Sequence, residues 1–201
     1  GLSDFDRVRS EIQPCDVVLV EGGSKSDKVI QTVTRSPWSH AALYVGRPLD
    51  IADSDLKTII SHFFSGPPDT PLLIESRLGE GIVVTPLDFY EQDHIRLCRP
   101  KSLNNKDAGQ VIRFAINRLG AHKGGGYLFD LFRFFFAWSF VPTDWRRGGF
   151  RRWAGRHTKN VTAAFIAECF GFIQFPVYPL VKTTGEQGVQ LLRRHPVLCM
   201  P

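Results

Sequence analysis

The sequence lacks any close pair of cysteines: Cys15, Cys98, Cys169 and Cys199 are scattered across 201 residues. That spacing excludes the paired thiols of a zinc site, and the density is far below that of a disulfide-stapled scaffold. The four read as mostly buried thiols, and neither a metal nor a cofactor is expected. Also missing is an N-terminal stretch that joins a basic start, a continuous apolar core and a small-residue cleavage site, so no signal peptide is expected. No apolar run reaches the roughly 20 residues of a membrane-spanning helix. The strongly aromatic stretch from Tyr127 to Phe140 is too short and is interrupted by Asp130 and Arg133. No internal repeat is present. The expectation is a protein that is soluble or peripheral to a membrane.

Acidic residues are missing from one further place. Between Trp145 and Lys159 stand Arg146, Arg147, Arg151, Arg152, Arg156 and Lys159 with no aspartate or glutamate among them. The formal net charge of +5 therefore belongs to this segment, because the remainder is close to neutral. What the chain does have is core material: 43% hydrophobic against 22% charged residues, enough for one domain over residues 1–201.

Read in order, Asp16-Val17-Val18-Leu19-Val20 is a short apolar run between Pro14 and Gly22-Gly23, as a buried strand would be. Ser26 and Asp27 lead a helical segment with Val29, Ile30 and Val33 on one face, closed by Pro37. His40-Ala41-Ala42-Leu43-Tyr44-Val45-Gly46 is the next strand. Residues 50–70 are mixed and point to no chemistry. Leu72 to Glu75 and Gly81 to Val84 form two more strands joined by a turn around Gly79, followed by a turn or short helix at Pro86 to Tyr90. His94 to Arg99 alternates like a half-exposed strand. Val111, Ile112, Ala115, Ile116 and Leu119 repeat at helical spacing before Gly120, a left-handed helix stop. Phe165, Ile166, Cys169, Phe170 and Ile173 mark a last helix over 161–173, and a short terminal helix is expected over Glu186 to Arg194. The order implies an α+β fold, a small antiparallel sheet packed against helices.

A histidine at a strand edge serves as a general base when a nucleophile and an orienting polar group reach its two ring nitrogens. Glu75, ending a neighbouring strand, can orient His40 and stabilise its charged form. The plainer alternative is a satisfied buried histidine beside a solvated strand end. The stretches Asp16 to Val20, Trp38-Ser39-His40-Ala41-Ala42-Leu43-Tyr44-Val45-Gly46, Ile74-Glu75 and Gly81 to Leu87 resemble the circularly permuted branch of the NlpC/p60 papain-like superfamily. That branch includes bacterial cell-wall and lipoprotein-type hydrolases and the lecithin:retinol acyltransferase group. The resemblance implies a single permuted papain-like domain, with an aromatic and basic insertion at about 127–159, and a cysteine nucleophile at the start of a late helix.

In that pattern the nucleophile position falls on Thr162 of Val161-Thr162-Ala163-Ala164-Phe165-Ile166-Ala167-Glu168. A helix N-terminus and an adjacent imidazole suit a thiolate, whereas a threonine hydroxyl ionises far less readily. Three explanations stay open: an offset of one residue, with Ala163 an alanine put in place of the cysteine; a naturally inactive domain that binds rather than cleaves; or the use of Cys169, which lies on the apolar stripe.

The insertion supplies Phe136, Trp138, Trp145, Arg146, Arg147, Arg151, Arg152 and Trp153. Aromatics at a water–lipid boundary with arginines facing anionic headgroups bind a membrane surface without spanning it. An aromatic core helix followed by a solvated basic loop is the alternative. Nucleic acid is not the expected partner, because no other motif supports it. Lying between the histidine strand and the nucleophile helix, this segment would rim the cleft in the resembled fold. The expectation is thus a thiol hydrolase of acyl esters or amides, with membrane phospholipid acyl groups preferred. The alternatives are a cell-wall peptide amidase or endopeptidase, and an inactive membrane- or partner-binding module.

Overall fold

The computed structural model describes residues 2–34, 36–77, 80–121, 161–175, 179–183 and 189–193. Five strands, β1 (Val17–Glu21), β2 (His40–Gly46), β3 (Leu72–Arg77), β4 (Gly81–Pro86) and β5 (His94–Cys98), form one antiparallel sheet in the order β4-β3-β2-β1-β5. Among the described residues five helices accompany it: α1 (Leu2–Glu11), α2 (Lys25–Thr34), α3 (Ser54–Phe63), α4 (Asn105–Ile116) and α5 (Val161–Phe172). The chain is therefore α+β, with a small antiparallel sheet and several helices.

Alternation along the strands sorts their side chains onto two faces. Ala41, Leu43, Val45, Leu72 and Ile74 face one way and share a core with Leu56 and Ile60 of α3, Val111 and Ile116 of α4, and Phe165 and Phe170 of α5. Val18, Val20, Ala42, Tyr44 and Leu73 face the other way, against Phe5 of α1 and against Leu87 and Tyr90 of a 3-10 turn (Leu87–Tyr90).

Local chemistry fixes the ends of these elements. The Asp53 carboxylate accepts from the N–H groups of Asp55 and Leu56 at 3.0 and 3.2 Å and so starts α3; Asn104 accepts from the Asp107 N–H at 2.8 Å and starts α4. After α4 the chain turns through Gly120 at φ +73, where the Phe63 ring lies 2.9 Å from the place a Cβ would take. The left-handed backbone favours glycine there. The Gly120 N–H then donates to Ile82 O at 3.0 Å, and the Ile82 N–H donates to Ala121 O at 3.4 Å.

One sequence expectation needs correction, and two stretches for which no element was expected form helices. Residues 2–11 are helix α1, which buries Phe5. The mixed region 50–70 contains α3, whose Leu56, Ile59, Ile60 and Phe63 recur at helical spacing behind the Asp53 cap. The expected terminal helix is instead strand β7 (Val189–Arg193), paired antiparallel with β6 (Pro179–Thr183) in register Leu180↔Leu192 and Val181↔Leu191. Pairing with β6, which sets Leu180 and Val181 against Leu192 and Leu191, decides between the two conformations for so short a segment. Among the described residues no helix is long and apolar enough to cross a membrane.

Candidate active site

His40 is the first residue of β2 and pairs with Val20 of β1. The chain is led into it by Ser39, whose N–H donates to Val20 O at 3.0 Å and whose Oγ accepts from the Gly22 N–H at 3.1 Å. Pairing with Val20 puts the imidazole on the α1 side of the sheet, and it keeps 21% of its side-chain surface. Glu75, the fourth residue of β3, lies on the same side and is fully buried at 0%.

The Glu75 carboxylate gathers four partners, two on each oxygen. Oε2 accepts from His40 Nε2 and from the Tyr90 hydroxyl, the latter at 2.5 Å. Oε1 accepts from Arg77 Nε at 2.8 Å and from the Thr85 hydroxyl. Burial pushes the Glu75 pKa up, but the hydrogen bond and charge of His40, with the Thr85 and Tyr90 hydroxyls, outweigh it and hold the carboxyl at about 2. Glu75 is therefore an anion that only accepts. Neutral His40 must carry its proton on Nε2, a tautomer that follows from this network, and Nδ1 keeps the lone pair.

Neighbouring groups support the same arrangement. Burial and the Glu75 charge push the Tyr90 phenol up, so Tyr90 stays a donor. The Arg77 guanidinium is raised too: burial works against its charge and the Glu75 carboxylate more than offsets that. The Phe89 ring covers the guanidinium at 4.7 Å, a cation–π contact, while Arg77 Nη2 is buried without a hydrogen-bond partner among the described residues. Asp27 of α2 is a further carboxylate near His40. Burial raises its pKa, and the Ser24 and Ser39 hydroxyls, the Ser24 N–H and the His40 charge together bring it below its ordinary value. Gly22 makes room for it, because a Cβ there would fall 2.3 Å from Asp27 Oδ2.

The candidate nucleophile positions are placed differently. Ala163 is buried in α5, and the Thr162 side chain lies outside what the structure describes. Phe165, Ile166 and Phe170 of α5 pack on the face of Ala41 and Leu43, opposite the face that holds His40 and Glu75. The structure thus joins His40 to Glu75 and joins neither to Ala163. Burial, then the Asp16 charge, pushes the Cys15 thiol up to about 12; burial raises Cys98 and Cys169 as well. Cys199 lies outside the described residues, as do the rim residues Phe136, Trp138, Trp145, Arg146, Arg147, Arg151, Arg152 and Trp153.

Tyr90, Arg77, Thr85 and Asp27 are the groups that sequence reasoning passed over. Thr85 had a signal. The hairpin pairs Glu75 with Val83 and Leu73 with Thr85, a register centred on residue 79, so a turn at Gly79 already puts Thr85 on the Glu75 face. Tyr90 had none, since its hydroxyl arrives from a 3-10 turn beyond the strand. A groove of about 840 Å³ between α1 and β5, floored by Phe5, Val8, Ile95 and Leu97, is lined by none of His40, Glu75 and Tyr90. Among the described residues no cluster of histidine, cysteine and carboxylate side chains is placed to hold a metal ion. No protein-family model matches the chain, and a search of curated proteins finds no match.

Proposed function

We propose that this chain is a hydrolase scaffold of the permuted papain-like kind, built to attack an acyl ester or amide with a nucleophile at the start of α5. The observation that carries this reading is the His40–Glu75 pair: a carboxylate withdrawn from water, kept ionised, and bonded to the ring nitrogen that leaves Nδ1 basic. In the thiol form, His40 Nδ1 takes the thiol proton as the sulfur attacks the carbonyl carbon. The imidazolium returns that proton to the departing alcohol or amine as its bond to carbon breaks, and water then hydrolyses the thioester. Glu75 stabilises the imidazolium, and N–H groups in the first turn of α5 stabilise the oxyanion.

The packing of α5 supports the reading: it lies against β2 and β3, the strands that carry His40 and Glu75. Membrane phospholipid acyl groups are the preferred substrate, on the aromatic and basic composition of residues 127–159; a cell-wall peptide is the alternative for the same chemistry.

One observation favours a second reading, an inactive module that binds a membrane or a partner: Thr162 and Ala163 stand where the thiol is required. Thr162→Cys and Ala163→Cys, made separately and assayed on anionic phospholipid vesicles and on muropeptides, decide between the two. The expected outcome is acyl release from vesicles by one variant, abolished when His40→Ala is added. If neither variant cleaves either substrate while the unaltered chain binds anionic vesicles, the binding module replaces the hydrolase.

A further inference from the structure

We propose that Tyr90 is a positioning residue for the His40–Glu75 pair, its hydroxyl sharing Glu75 Oε2 with His40 Nε2 and so setting how much negative charge that oxygen presents to the imidazole. The proposal rests on the reading of His40 as a general base and deepens it, because a shared acceptor regulates that base.

Tyr90 closes the 3-10 turn, is 6% exposed, and holds its ring centroid 6.1 Å from that of His40. The turn is anchored by Leu87, which is fully buried and whose N–H donates to Pro71 O at 2.9 Å. The residue before Tyr90 extends the same control to the other carboxylate oxygen: Phe89 packs edge-on against Tyr90 at 5.1 Å and covers the Arg77 guanidinium that bonds Oε1. The charged and titratable groups around His40 are Glu75 and Arg77 from β3, Tyr90 from the turn and Asp27 from α2. Of the other donors to Glu75, only Tyr90 shares an oxygen with the imidazole. Packing alone would be met by phenylalanine, which fills the same space without the hydroxyl. The hydroxyl is what a buried, shared acceptor requires, since a carboxylate oxygen with two donors polarises each of them less than it would one.

The test uses the whole chain with nitrogen-15 in its histidines. The Nε2 resonance of His40 is read through the carbon-bound ring protons, so that exchange with water does not hide it. Tyr90→Phe is expected to move that resonance in the direction of a stronger N–H···O bond, and Thr85→Val, which acts on the other oxygen, to move it less than half as far. Thermal melting confirms that both variants are folded. Replacement of tyrosine by 3-fluorotyrosine, a stronger donor that keeps the packing, moves the resonance the opposite way and serves if Tyr90→Phe does not fold. An unmoved resonance in Tyr90→Phe, an equal shift in Thr85→Val, or no opposite shift with fluorotyrosine overturns the proposal. None of these readouts needs turnover. Inactive Thr162→Cys and Ala163→Cys chains would therefore remove the hydrolase reading while the Tyr90 measurement stood or fell by itself.

Discussion

The two faces of the five-stranded sheet are both covered, by different physics. Against α3, α4 and α5 the strands bury aliphatic and aromatic side chains that any close-packed apolar neighbour satisfies. Against α1 and the 3-10 turn they bury, among Tyr44, Leu73 and Leu87, a charged carboxylate that needs four donors in fixed places. An apolar core tolerates exchange of one shape for a similar one, but a buried charge loses heavily when any partner is missing. The fold therefore accepts its stiffest requirement on the His40 side, where the proposed chemistry would lie.

The largest expected effect breaks the polar face while keeping its shape. Glu75→Gln replaces the anion facing His40 and Arg77 by an amide, and loses about 3–5 kcal/mol in urea denaturation at pH 7. The loss is pH-dependent. The Glu75 pKa in the folded chain, about 2, lies below its ordinary 4.5, so the unfolded chain takes up the proton first as pH falls. The carboxylate's contribution, about 3 kcal/mol, is fully present above pH 4.5 and is lost as pH drops through 2. The gap between the two proteins should close over that window; a gap of constant size would mean that the carboxylate's ionisation is not what stabilises the site.

A change of shape with no change of charge, made on the apolar face, sharpens the contrast. Phe165→Leu, at one of the largest fully buried side chains, is expected to cost about 1 kcal/mol, equally at pH 7 and pH 3. A loss as large as that of Glu75→Gln, or one that varied with pH, would erase the distinction between the faces. The smallest effect concerns the apolar-side thiols. Cys15 and Cys169 are buried and held protonated, so iodoacetamide at pH 8 should leave both unmodified in the folded chain and label both in urea. Peptide mass mapping reads the result, and rapid labelling of Cys169 in the folded state would restore it as a candidate nucleophile.

Much of this contrast was legible in the sequence. The short buried strand that starts at His40, the helical repeat from Val111 to Ile116 and the glycine that ends it are all realised, because each pattern is local and strong. Helix α3 was legible too, through Asp53 and the spacing of Leu56, Ile60 and Phe63, but its polar residues masked the repeat. The four-donor shell of Glu75 was legible only in part. Thr85 follows from the hairpin register, whereas Tyr90 depends on how a turn folds back over a sheet, which no local period encodes. For Val189 to Arg193 the deciding influence was the pairing partner, which lies elsewhere in the chain.

The hydrogen bonds that tie Gly120 and Ala121 to Ile82 have a consequence for association between molecules. β4 is an outer strand of the sheet, and an uncovered outer strand is a template on which another chain can add. Here the tail of α4 occupies both backbone groups of Ile82. The protein caps part of its own sheet edge with two residues of its own backbone, and the glycine that permits the turn thereby also guards against growth of the sheet from one molecule into the next.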